Sequence, residues 1–65
     1  MEFHVTEMRC GHCESAVRAA VARVAPGAEV LIDRPAARVA VTGAEDAEAI
    51  AAAIRDEGFE ARALG

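Results

Sequence analysis

Along this chain the apolar residues switch between a two-residue and a 3.6-residue period, and that switching restricts the fold more than any other feature. Phe3 and Val5 alternate with Glu2, His4 and Thr6, the signature of a half-buried strand. The segment from Glu7 to His12 holds a glycine and the first cysteine and reads as a loop. From Cys13 the period lengthens: Ala16, Val17, Ala20, Val21 and Val24 share one helical face, and Glu14, Arg18 and Arg23 fall on the other. Pro26-Gly27 stops that helix. Val30 and Ile32, then Val39 and Val41, return to alternation on either side of an Asp33-Arg34-Pro35 turn, which predicts a hairpin. Glu45, Asp46 and Glu48 open a second helix, where negative charge suits the positive end of the helix dipole. Its inner face is Ala47, Ile50, Ala51 and Ile54. Gly58 ends it, and Phe59, Ala61 and Ala63 form a last strand.

The order is βαββαβ. That order predicts an α+β, ferredoxin-like sandwich, with a four-stranded antiparallel sheet and both helices on one face. With 65 residues there is room for one domain. A domain of this size buries only about 60% of its unfolded surface, so its stability is modest. The apolar fraction of 54% includes just two aromatics, so the core is built from valine, isoleucine and alanine.

Charge and composition exclude several functions. The formal net charge is -4, and all positive charge sits on seven scattered arginines. A chain with no basic cluster is a poor ligand for nucleic acid. No run approaches the ~20 apolar residues that span a bilayer, so membrane insertion is not expected. The N-terminus lacks a basic patch followed by an apolar segment, so no signal peptide is read and the cytoplasm is the expected location.

Cys10 and Cys13 are the chain's two cysteines. So close a pair is no disulfide framework for a secreted domain; in a reducing compartment it points to metal or redox chemistry. Thiolates are soft ligands that favour Cu(I), zinc and related ions. Two sulfurs can satisfy Cu(I), whereas a closed structural zinc site wants four N or S ligands. The remaining candidates are His12 and His4, and His4 alternates outward from the first strand. Ligand count therefore favours a two-coordinate ion held by Cys10 and Cys13. Cys13 also falls near a helix N-terminus, where backbone N–H groups and the dipole stabilise a thiolate. Arg9 adds positive charge against the net -1 of two thiolates around Cu(I).

Met8-Arg9-Cys10-Gly11-His12-Cys13, between a short strand and an amphipathic helix, resembles the Met-x-Cys-x-x-Cys loop of heavy-metal-associated domains. The resemblance covers essentially the whole chain, Gly58-Phe59 included, and implies a single such domain over residues 1–65. Small free-standing members of the family are bacterial copper chaperones that deliver Cu(I) to copper-transporting P-type ATPases. By that similarity Cys10 and Cys13 are the ligands, Met8 is a buried loop anchor, and Phe59 packs beside the site. The implied partner is a metal-binding domain of such an ATPase. The apo form would be a monomer, and metal-bridged dimerisation stays open. The starting methionine and the end at Gly65 favour a separate small protein over an ATPase domain.

Two departures qualify this. Glu7 stands where the family often has glycine, which stiffens the loop or brings a carboxylate near the site. Arg9 stands where many zinc, cadmium or lead relatives carry aspartate; a cation there supplies no oxygen ligand and disfavours divalent ions. Zinc, cadmium and mercury remain alternatives to copper. A second alternative is a thiol-disulfide oxidoreductase, because Cys-Gly-His-Cys is also the tetrapeptide of protein disulfide isomerases. Those domains are longer, thioredoxin-like, and usually have an aromatic residue where Arg9 stands. The expectation is a binding protein and not an enzyme. His12 reads first as a polar loop residue; a third, weak ligand and a modulator of cysteine acidity are its other readings.

Overall fold

The computed structural model describes residues 1–8 and 11–64. Six elements follow one another: β1 (Glu2–Val5), α1 (Gly11–Val24), β2 (Glu29–Asp33), β3 (Arg38–Thr42), α2 (Ala47–Asp56) and β4 (Ala61–Ala63). The strands form one antiparallel sheet in the order β2-β3-β1-β4. This is the βαββαβ ferredoxin-like arrangement the alternating periods predict.

Alternation decides which sheet face is covered. Phe3, Val5, Val39 and Val41 are buried on one face of the two central strands. Val17, Ala20 and Val21 of α1 and Ile50, Ala51 and Ile54 of α2 are buried with them in one apolar cluster. Each large side chain fully withdrawn from water contributes about 1.5–3 kcal/mol before entropy is counted. The other sheet face stays open: His4 stands in register between Arg38 of β3 and Arg62 of β4, and Leu31 is 70% exposed.

Several boundaries differ from the sequence reading. Helix α1 begins at Gly11, two residues before the expected start, so His12 is helical. Gly11 and His12 carry no apolar signal by which periodicity could have enrolled them. Val24, expected inside, is 39% exposed. Phe59 precedes β4 instead of starting it and rests half-buried on the core, while Ala63 is exposed on an edge strand. Ala53, absent from the predicted inner face, is buried.

The turns follow their chemistry. Asp46 caps α2, its Oδ1 accepting from the Ala49 N–H at 3.1 Å. Gly58, at φ +99°, takes the left-handed conformation that ends α2, and its N–H donates to the Arg55 carbonyl at 2.9 Å. In the β2–β3 turn, Asp33 Oδ1 accepts from the Ala36 N–H at 3.3 Å, and the Ala37 N–H donates to the Arg34 carbonyl at 3.0 Å.

Candidate metal centre

Three connections meet at one end of the sheet. The Val5 N–H donates to the Ala37 carbonyl at 2.8 Å, and the Thr6 N–H donates to the Glu60 carbonyl at 3.0 Å. The chain leaving β1 is therefore held between the β2–β3 turn and the segment that enters β4. Phe59 sits one residue from that second contact, which brings it beside the exit of β1.

Glu7 then takes φ +73°, in the left-handed region. An L-residue other than glycine pays about 1–2 kcal/mol for this conformation. That explains why glycine suits the position and what its replacement does: the chain keeps the left-handed geometry with a side chain that strains it. The Glu7 side chain is exposed. The next residue, Met8, turns inward and is only 7% exposed within the core cluster. That burial is what the resemblance implied for Met8.

Arg9 and Cys10 lie outside the described residues. Cys13 lies in the first turn of α1, half-buried and packed against the core. Its placement joins two requirements of a soft-metal ligand: apolar support beneath and the positive helix terminus beside it. Gly11 and His12 are exposed. His4 points from the face of β1 opposite Phe3 and Val5, away from the layer on which Cys13 packs, so the structure does not bring it to the cysteine. Among the described residues no group of three or more His, Cys, Asp or Glu side chains is placed to hold a metal ion.

Sequence reasoning missed what surrounds Glu14. Its Oε1 pairs with Arg18 Nη2 and its Oε2 with Arg34 Nε, both at 3.3 Å. Arg18 also donates through Nη1 to the Val30 carbonyl at 2.9 Å. The Glu14/Arg18 spacing of four residues was a readable signal for the first pair. Arg34, twenty positions from Glu14, gave none.

The chain belongs to the heavy-metal-associated domain family, whose model matches residues 2–60. Among solved structures it is similar to the copper chaperone Atx1 from Synechocystis PCC6803, at 29% identity over 95% of this chain and 98% of that one, with a TM-score of 0.87. A copper-binding domain from the P-type ATPase HMA7 shares 30% identity over 100% of this chain and 92% of its own, with a TM-score of 0.86. A gold binding protein shares 37% identity over 95% of each chain, with a TM-score of 0.85. A search of curated protein sequences gives no significant match. Among the described residues no helix is long and apolar enough to cross a membrane.

Proposed function

We propose that this chain is a cytoplasmic copper chaperone that holds one Cu(I) between the thiolates of Cys10 and Cys13. The observation that carries the reading is the position of Cys13. It stands in the first turn of α1, supported by the core, at the end of a fold shared with a copper chaperone and with a copper-binding domain of a P-type ATPase. Soft sulfur ligands suit Cu(I), and two suffice for it.

Transfer proceeds by ligand exchange. A thiolate of the partner, a metal-binding domain on a copper-transporting P-type ATPase, adds to the ion to give a three-sulfur intermediate, and Cys10 or Cys13 departs. A second exchange completes the transfer. Each Cu–S bond lost is replaced by another, so no step leaves the ion underligated and no enzymatic catalysis is required. The apo chain is a monomer in this reading, and any dimer is bridged by shared metal.

Two observations weigh against the oxidoreductase alternative. The sheet is antiparallel throughout, in the order β2-β3-β1-β4, and the family matched is heavy-metal-associated. The similarity to a gold binding protein adds gold to zinc, cadmium and mercury as a competing cargo.

Anaerobic titration of the reduced protein with Cu(I), against a competing chelator, tests the assignment. One tight equivalent is expected for the wild type, with loss of that site in Cys10→Ser and in Cys13→Ser. Tight one-to-one binding that survives both substitutions refutes it. Turnover of a scrambled disulfide substrate without metal would instead support the redox alternative.

A further inference from the structure

We infer that Arg34 is a positioning residue for Cys13, acting through Glu14; the inference rests on the reading of Cys13 as a metal ligand. The first turn of α1 begins on Gly11. Gly11 does not use a positive φ, and a Cβ added there would meet nothing within 4 Å. Neither conformation nor space calls for glycine at this position.

The anchorage comes one residue after Cys13. Both oxygens of Glu14 are engaged, one by Arg18 from the next turn of α1 and the other by Arg34 from the β2–β3 turn. Glu14 is only 28% exposed, so these contacts are less screened than those of a fully solvated pair. Arg18 is in turn fixed to the sheet. Val41 exchanges hydrogen bonds with Met1, its N–H donating at 2.8 Å and its carbonyl accepting at 2.9 Å, so it faces β1. Val30, opposite Val41, therefore presents its carbonyl to the open edge of β2, where Arg18 Nη1 donates to it. Arg34 is held by the closed turn around it. The turn that carries Cys13 is thus tied to the sheet edge and to the hairpin through Glu14.

The test compares Arg34→Ala, Arg34→Lys and Arg23→Ala. The last removes a similar exposed pair, Arg23–Glu57 at 3.2 Å, from a point ten residues or about 15 Å along the helix from Cys13. Arg34→Ala is expected to weaken Cu(I) binding by about fivefold, with partial recovery in Arg34→Lys and no change in Arg23→Ala. In the apo proteins, backbone amide order parameters from Gly11 to Glu14 should fall in Arg34→Ala alone. Wild-type affinity together with wild-type order parameters in Arg34→Ala overturns the inference, as does a loss of affinity matched by Arg23→Ala. The order parameters need no metal. If the wild type fails to bind Cu(I), the functional reading falls, and those order parameters still decide whether Arg34 holds the turn.

Discussion

Replacing Glu7 by glycine should stabilise the apo protein, although the change removes a side chain and adds nothing. Glu7 occupies φ +73°, a conformation that costs an L-residue about 1–2 kcal/mol. Glycine removes that strain, and its greater freedom in the unfolded chain returns about 0.5–1 kcal/mol of it. The balance is a gain of about 0.5–1 kcal/mol. For a domain of this length, 1 kcal/mol moves the melting temperature by about 4–8 °C, so a rise of about 2–8 °C is expected. Glu7→Ala retains the Cβ and therefore the strain, and should show no such rise. Gly58→Ala supplies the opposite case. It sits at φ +99° with open space around an added Cβ, so only conformation opposes the change, and a loss of about 1 kcal/mol is expected. Urea denaturation of the reduced apo proteins measures all three. A Glu7→Gly variant less stable than Glu7→Ala would refute the reasoning, because a Cβ at this backbone geometry would then cost less than the freedom glycine adds to the unfolded chain.

Two further predictions concern the scaffold. Ile50→Ala empties a fully buried position shared by α2 and the sheet, and should cost about 2–5 kcal/mol, enough to leave so small a domain largely unfolded by circular dichroism. Asp46→Ala removes the side-chain acceptor of the Ala49 N–H and should cost about 1 kcal/mol in urea denaturation, whereas Asp46→Asn should recover most of it.

How much was legible in the sequence depends on where each residue sits. Phe3, Val5, Val39 and Val41 occupy the two central strands, whose alternation matches burial residue for residue. Alternation fades at the edges. Val30 and Ile32 of β2 are only half-buried, and Ala63 of β4 is exposed, because each edge strand has a neighbour on one side alone. Most of the inner face of α2 was readable because four apolar positions repeat at helical spacing, though Ala53 is buried beside them; at the end of α1 the same spacing put Val24 inside, and it is exposed.

At the site, short-range features were visible and long-range ones were not. The spacing of Cys10 and Cys13 and the following helical pattern marked the candidate ligands, and Cys13 lies at the helix terminus where that pattern put it. Glu7 stood out as a departure from glycine, and its positive φ supplies the physical meaning of the departure. The grip of Arg34 on Glu14 joins a turn to a helix across the fold, and no local pattern encodes such a contact.

X-ray absorption at the copper edge, on protein loaded anaerobically with one equivalent of Cu(I), tests the central claim most directly. Two sulfur neighbours per copper are predicted for the wild type, and loss of that environment in either Cys10→Ser or Cys13→Ser. A nitrogen or oxygen neighbour in place of one sulfur in the wild type, or an unchanged two-sulfur environment in the single variants, would contradict it.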